Sequence, residues 1–452
     1  MTSSSTTSST PTSSTPSTTG PAPQVRPERL LARAGSSPRR PSRTAGAARV
    51  AVTRLLERMN RDRLNVIEGD TIHRYGRSGE LHENDLEATI EILDPRAWSA
   101  LVREGSIGLG RGYFENWWDS DDPTTVVRII IRNIEPLDEI RNRVADKTGV
   151  ISDSIRKVLP RAGRRRNKED IASHYDLGND FFQIFLDETL TYSSAIFPSG
   201  EAALAEGSHY KYDRLLRKLG VDASHDLLEI GTGWGGFALR AVDIAGCNVT
   251  TTTISSEQLR EARHRVRSAG RNDKVRLLDR DWRDLEGRFD RIVSIEMIEA
   301  VDWRDYDHYF ATIERCLVPD GLVAIQAICV PDRRYERTKN TEDFIRRFVF
   351  PGGFLPSLGA IGSSVSAATR LQIVDVEDLS AHYAETLRRW RVRFDDNLEQ
   401  VRALDLDERF IRLWRFYLAY CEAGFLERHC TVNQIVLAGP HWRPDGLSLR
   451  PG

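Results

Sequence analysis

The sequence predicts an α/β fold. After residue 171, short apolar runs alternate with helical patterns in βαβ order, the signature of a parallel sheet with crossover helices. One of those runs, DLLEI at 226–230, passes through a glycine-rich turn straight into a helical pattern. Between about 341 and 427 the alternation gives way to a mostly helical stretch rich in aromatics. Together these describe a Rossmann-like domain with a helical insertion.

The elements follow in order. Residues 1–48 open with a Ser/Thr/Pro tract that cannot bury enough apolar surface to offset its ordering entropy, so a disordered tail is expected. The first 50 residues carry seven Arg and no Lys against one acid, Glu28, whereas the rest of the chain has more acids than bases. A basic arm on an acidic body suits an anionic surface such as phospholipid headgroups, and equally a solubilising tail. Residues 49–150 form a small accessory domain. There RLNVIEGDTIHRYG and ATIEIL alternate like strands, and TTVVRIIIRNI is a buried helix or strand. Residues 151–170 form a basic linker, in which RKVLPRAGRRRNK holds seven bases and no acid. Beside an anionic leaflet each such base contributes on the order of 1 kcal/mol; a solvated linker without a partner is the alternative. The absence of interleaved aromatics speaks against nucleic acid. Residues 171–452 carry the strands DLLEI, NVTTTT, KVRLL, FDRIVSI and GLVAIQAI, with helices between them and VNQIVLAG as a closing strand.

Composition narrows the class further. Of 452 residues 40% are hydrophobic and 29% charged, enough apolar material for a large core. No apolar run approaches the roughly 18 residues of a membrane-spanning helix, and the N-terminus has no apolar leader. Five Cys without C-x-x-C spacing leave no disulfide framework or structural zinc site and fit a reducing cytoplasm. The ten His show no H-x-x-H or H-E-x-x-H spacing, so no metal is expected, and His174 and His382 are expected to pack or hydrogen-bond.

The glycine-rich turn carries chemistry. Glu229-Ile230-Gly231-Thr232-Gly233-Trp234-Gly235 has the spacing E-x-G-x-G-x-G, which differs from the dinucleotide pattern G-x-G-x-x-G. Glycines let the backbone approach a ligand, and the helix N-terminus offers free N–H groups. Glu229 just before the first glycine would repel a phosphate and accept from an ammonium, which favours S-adenosylmethionine over NAD. Asp281 follows the third strand and suits an adenine amino group, with Trp282 stacking on the base or packing beneath it. After the second strand no ribose carboxylate stands; Thr253, Ile254 and Gln258 take its place.

From about Gly105 onward, some three quarters of the chain, the sequence resembles the cyclopropane-fatty-acyl-phospholipid synthase family. The resemblance rests on GLGRGYFENWWDSDD, HYDLGNDFF, TYSSAIF, LEIGTGWGG, TISSEQL, DWRDL, SIEMIEAV, FPGGFLPS, HYAETLRRW and YLAYCEAGF, in that order. It implies a class I methyltransferase fold with an acyl-binding insertion, S-adenosylmethionine as methyl donor, and a fatty acyl chain on a phospholipid as acceptor. It places donor contacts on Tyr192, Ser193, Gly231, Gly233, Thr253, Ile254, Gln258, Trp282 and Ile295. In the family mechanism the cis double bond attacks the sulfonium methyl, a dry pocket protects the cation left on the neighbouring carbon, and a base removes a proton. Family members hold bicarbonate as that base.

The bicarbonate-holding positions fall here on Glu299, the backbone of Ile328, and Tyr383. The family's Cys becomes Ser194, its His becomes Gln326, and Glu296 replaces a common Gly. Ser194 and Gln326 can still donate to an oxyanion, so bicarbonate stays open as a cofactor; alternatively Glu296 or Glu299 is itself the base if burial raises its pKa. Cys421 occupies a position once assigned as catalytic, although in an aromatic helix a Cys is more often a small buried hydrophobe.

Two fates of the cation give two products. Immediate loss of a methyl proton closes a cyclopropane ring; a prior 1,2-hydride shift gives a methylene, the precursor of 10-methyl branched, tuberculostearic-type lipids. The wording of LVAIQAI, HYAETLRRW and YLAYCEAGF is closest to actinobacterial relatives that form 10-methylene chains from oleoyl lipids, with the cyclopropane ring as the alternative. A methyltransferase for a small polar acceptor would need a polar pocket, whereas 341–427 offers Phe344, Phe348, Phe350, Phe354, Trp390, Trp414 and Phe416. A non-catalytic lipid binder would not need the intact glycine loop and Glu299. The expected location is the cytoplasm, peripheral on the inner leaflet. Expected partners are membrane phospholipids and no nucleic acid, with a reductase that saturates the methylene and a homodimer left open.

Overall fold

The computed structural model describes residues 43–133 and 177–444. The tail up to residue 42, the basic linker and His174 lie outside the described residues. The first helix, α1 (Arg43–Leu56), begins inside the stretch assigned to the tail, so the ordered fold starts at least six residues earlier than composition suggests. Its buried Ala45, Ala48, Val52 and Leu56 recur at helical spacing, a signal that the neighbouring Ser, Pro and Arg residues dilute.

β1 (Arg63–Glu68) and β2 (Thr71–Gly76) form the expected hairpin, turning at Gly69 with φ +57°. β3 (Glu87–Ile92) runs parallel to β1. α2 (Arg96–Glu104) and α3 (Ser106–Phe114) follow, then β4 (Trp118–Asp119) and α4 (Pro123–Arg132). The open choice at TTVVRIIIRNI resolves as a helix. Asp122 caps it by accepting the Thr125 N–H at 3.0 Å, and Pro123 occupies the first turn, where no donor is lost. The strand order is β2-β1-β3-β4.

The larger sheet begins after α5 (Gly178–Phe185) and α6 (Leu204–Leu219). It comprises β5 (Asp226–Ile230), α7 (Gly236–Ala245), β6 (Asn248–Thr253), α8 (Ser256–Ser268), β7 (Val275–Asp279), β8 (Phe289–Ile295), α9 (Tyr306–Cys316) and β9 (Leu317–Cys329). Then come α10 (Asp332–Thr338), α11 (Phe344–Phe348), α12 (Leu358–Ala368), β10 (Gln372–Asp378), α13 (Ser380–Asp396), α14 (Leu398–Ala403), α15 (Glu408–Leu426) and β11 (Thr431–Ala438). The order is β10-β11-β9-β8-β5-β6-β7, with β5 to β9 parallel and β11 antiparallel to both its neighbours.

This corrects the purely parallel, helix-interrupted reading in one place. The insertion contains an edge strand, β10. Its Ile373, Val374 and Val376 are all exposed, so no burial period marks it in the sequence. It is fixed instead by pairing with β11 and by ion pairs from α6: Lys218 with Asp375 at 2.9 Å, and Arg214 with Glu377 at 2.6 Å.

An aromatic core joins the two sheets. Phe181 and Phe185 on α5 meet Trp390 and Phe394 on α13 and Trp414 on α15, mostly edge to face at 4.9–6.4 Å between centroids. The N-terminal sheet docks on the same α15. Tyr113 and Trp118 pack on Phe416 at 5.5 and 6.0 Å. A Cβ at Gly110 would lie 2.2 Å from the Phe344 ring, so α3 approaches this closely only because the residue is glycine. Glu427 accepts from Arg128 and Arg132 at 2.7 and 2.8 Å across the same contact.

Candidate active site

A cavity of about 390 Å³ opens where β5, β6 and β8 end, and continues into the helical insertion. One end is lined by backbone and small polar groups, the other by aromatic rings.

At the first end the chain leaves β5 through Gly231 (φ +101°) and Gly233 (φ +51°). A Cβ on Gly231 would lie 2.8 Å from the Met297 side chain, while one on Gly233 would meet nothing within 4 Å. The loop is thus packed behind Gly231 and open at Gly233. Glu229 is buried, and its Oε2 has no hydrogen-bond partner among the described residues. Burial pushes its carboxyl up to about 8, opposed by the Thr251 hydroxyl and the Lys211 ammonium. Thr253 donates to Gln258 Oε1 at 3.1 Å, and Ser255 caps α8 to present Gln258. Asp281 and Trp282 line the wall after β7. Asp281 is anchored by Arg283 at 3.0 Å, and Trp282 both faces the cavity and packs edge-on to Tyr309 at 5.1 Å. Tyr192, Ser193, Ile254 and Ile295 complete this end. Gly235 does not line it: with φ +83° it is the residue that turns the chain into α7 against Ala262.

At the junction sit two half-buried glutamates. Glu296 has a left-handed backbone, φ +49°, which for a residue other than glycine costs on the order of 1–3 kcal/mol. Its carboxylate is fully engaged. Oε1 accepts the Ser194 backbone N–H at 2.9 Å and Gln326 Nε2 at 2.8 Å, and Oε2 accepts the Tyr383 hydroxyl at 2.8 Å. Gln326 cannot turn away, because its Oε1 accepts from Gln434, its partner across β9 and β11, at 3.1 Å. The Ser194 hydroxyl, expected to face an oxyanion, donates instead to the Ala195 carbonyl at 3.0 Å. Ser194 and Gln326 therefore stand behind Glu296, fully buried, rather than in the cavity wall.

Glu299 differs. Its Oε1 accepts the Ile328 N–H at 2.5 Å, while its buried Oε2 has no partner among the described residues. Burial, reinforced by the Glu296 charge, pushes its carboxyl up to about 8. It is the group best placed to take a proton.

Beyond the glutamates the wall is largely aromatic, with Arg334, Lys339, Asp343 and Arg346 also lining the cavity. Tyr383 stacks on Phe425 at 4.5 Å, Phe350 meets Tyr417 at 5.9 Å, and Tyr417 and Tyr192 share a hydroxyl contact of 2.9 Å. Cys421 lies in this wall, its thiol pushed well above its usual value by burial, so it packs as a neutral group. Polar residues escaped the sequence reading: the cavity-lining Arg334, Lys339 and Arg346, and Lys211. Lys211 is fully buried behind Ser193, and its only signal was a lysine on the apolar stripe of α6.

The sequence profile of the mycolic acid cyclopropane synthetase family matches residues 162–435. The chain belongs to that family. Tuberculostearic acid methyltransferase UfaA1 of Mycobacterium tuberculosis is 41% identical over 367 residues, covering 77% of this chain and 85% of its own length. Cyclopropane-fatty-acyl-phospholipid synthase of Escherichia coli K12 is 30% identical over 366 residues, 80% of this chain and 91% of its own. The crystal structure of mycolic acid cyclopropane synthase CmaA1 complexed with SAH and CTAB superposes with a TM-score of 0.56 at 33% identity, over 60% of this chain and 98% of that one.

This family member is an S-adenosylmethionine-dependent methyltransferase, and its residues fit the donor. The orphaned Glu229 Oε2 suits an ammonium, and the opening at Gly233 admits a ligand against the backbone. Bicarbonate does not fit. The Ser194 N–H, Gln326 and Tyr383 are spent on Glu296, and the Ile328 N–H on Glu299. A further anion would sit between two buried carboxylates. The Glu296 carboxylate occupies those donors instead.

Proposed function

We propose that this enzyme methylates the cis double bond of an oleoyl chain on a phospholipid and releases a 10-methylenestearoyl chain. The observation that carries the reading is the unpartnered Glu299 Oε2 at the junction of a donor cradle and an aromatic cavity. When bound, S-adenosylmethionine supplies an electrophilic methyl on a sulfonium. Glu229 and the glycine loop orient it; Tyr192 and Ser193 close the wall between donor and acceptor. The alkene π pair would form the new C10–methyl bond as the S–CH3 pair stays on sulfur and S-adenosylhomocysteine leaves, and the positive charge would fall on C9. Phe350, Tyr417 and Phe425 exclude water and offer ring faces to that charge. A hydride shift from C10 to C9 moves the charge to C10. Glu299 Oε2 then takes a proton from the added methyl, and the C–H pair becomes the exocyclic double bond.

The tether favours this order. A base fixed to the Ile328 N–H cannot follow the methyl, which gives the hydride shift time to precede deprotonation. The alternative, a cyclopropane ring, is what the name of the Escherichia coli relative describes. Arg334, Lys339 and Arg346 line the same cavity as the aromatic wall, which supports an acceptor with an anionic headgroup. Such a substrate lies in a bilayer, so we place the enzyme at the membrane surface; none of the described helices is long and apolar enough to cross a membrane. A methylene product would need a separate reductase to become a 10-methyl chain.

Expression in a host rich in oleate, followed by gas chromatography–mass spectrometry of the lipids, tests the proposal. A 10-methylenestearoyl peak is expected. A cyclopropane peak would replace the product assignment, and no transfer of label from S-adenosylmethionine to lipid would overturn the reading. Combining Glu296→Gly, Ser194→Cys and Gln326→His, with bicarbonate present, is expected to shift product toward the ring.

A further inference from the structure

The most deeply buried cation near the site has no part in the steps above. Lys211 is 0% exposed. It projects from the face of α6 that also carries Leu204, Ser208 and Leu215. An ammonium without partners would not be tolerated there, and its partners are specific. Nζ donates to Ser193 Oγ at 2.7 Å and lies 4.7 Å from the centroid of the Tyr212 ring. The carboxylates that face it come from three other elements: Glu296 at the end of β8, Asp187 after α5, and Glu229 on β5. Asp187 is already occupied by the Ser208 hydroxyl at 2.9 Å and the Thr189 N–H at 2.7 Å. Ser193 and Glu229 belong to the donor end, and Glu296 to the junction with the acyl end. Lys211 thus stands behind the wall where the two ends meet.

We propose that Lys211 is a positioning residue that couples the donor pocket to the catalytic centre, fixing the Ser193 hydroxyl at the donor and balancing the charge of Glu229 and Glu296 from behind. It touches neither reactant and transfers no proton. The proposal rests on the methyl-transfer activity and not on which lipid product forms. It explains why a lysine occupies a helix face that is otherwise packed with aliphatic and small residues. It also explains how Glu296, strained at its backbone and desolvated, stays in place: three donors hold its oxygens and Lys211 offsets its charge.

Three variants test this through S-adenosylmethionine affinity by calorimetry, the split between KM for the donor and kcat, and the pH profile of kcat/KM. Lys211→Met is expected to weaken donor binding by about 10-fold or more. It should also displace the acid limb of kcat/KM upward, because Glu229 at the donor end loses its facing charge, while the rise of kcat set by Glu299 stays in place. Ser193→Ala should weaken donor binding and leave the limb in place. Lys211→Arg keeps the charge but misplaces the donor group, so KM should rise with the limb unmoved. A folded Lys211→Met with wild-type affinity and profile would make Lys211 a packing residue and overturn the proposal. If Lys211→Met does not fold, Lys211→Arg decides: wild-type KM overturns it. Calorimetry reads Lys211 even where no lipid is labelled, so this proposal and the lipid assignment fail separately.

Discussion

The two ends of the cavity are built in opposite ways. The donor end is mostly backbone, supplied by one continuous run from β5 into α7 and by the tips of β6, β7 and β8. The acyl end is mostly side chain, collected from residues near 350, 383, 417 and 425, which only packing brings together. A backbone cradle needs a local turn of the right shape, whereas a dry pocket needs surfaces from many elements. The two ends should therefore fail differently when perturbed.

The sharpest division is expected at their junction. Glu299→Gln removes the proposed proton acceptor and should lower kcat on the order of 10²–10⁴-fold, with donor affinity by calorimetry unchanged. A parallel loss of donor affinity would show that the ends are not separable. Next in size is the aromatic core behind the cavity. Trp390 of α13 is fully buried against Phe185 of α5, and Trp390→Ala should cost about 3–5 kcal/mol in denaturant unfolding. A small effect would mean that the core relaxes. Gly231→Val should act on the other end. Its Cβ meets Met297 at 2.8 Å and its φ is +101°, so donor affinity should fall by about 10-fold or more while lipid binding persists.

The smallest effect is graded with pH. Because Glu299 must be ionised to accept a proton, kcat should rise with pH and level off above about 8. Stability runs the other way. Glu229 and Glu299 both have folded-state values raised to about 8. Their contribution is full below the ordinary carboxylate range and is lost as pH climbs through about 8. Thermal melts of the free enzyme should therefore fall across the window in which activity rises. S-adenosylmethionine should restore part of the loss by placing positive charge beside Glu229.

The donor end was legible because its chemistry is local. E-x-G-x-G-x-G carries its own turn, and the strand-end positions Thr253 and Asp281 follow from counting along βαβ units, while Ile295 came through the resemblance. Gly235 was misplaced by one step for the same reason: spacing shows which glycines share a turn, not which of them the helix consumes. At the acyl end the residue types were readable and their roles were not. Ser194 and Gln326 look like replacement ligands for an ion; in space they hold Glu296, whose left-handed backbone nothing in a single sequence reveals. Lys211 was invisible because a lysine on an amphipathic helix ordinarily faces water. β10 was invisible because an exposed edge strand has no burial period.

By itself the sequence determined the βαβ order, the glycine cradle, the greasy character of the insertion and, through resemblance, the family. Those properties live in short windows, where backbone sterics and side-chain period act directly. Only the tertiary structure decided which glutamate has both oxygens engaged and which keeps one without a partner among the described residues, and that a buried lysine faces Glu296. These depend on donors from β9, α6 and α13 converging on a few cubic ångströms, and hydrogen-bond direction at such range is set by packing rather than by order along the chain.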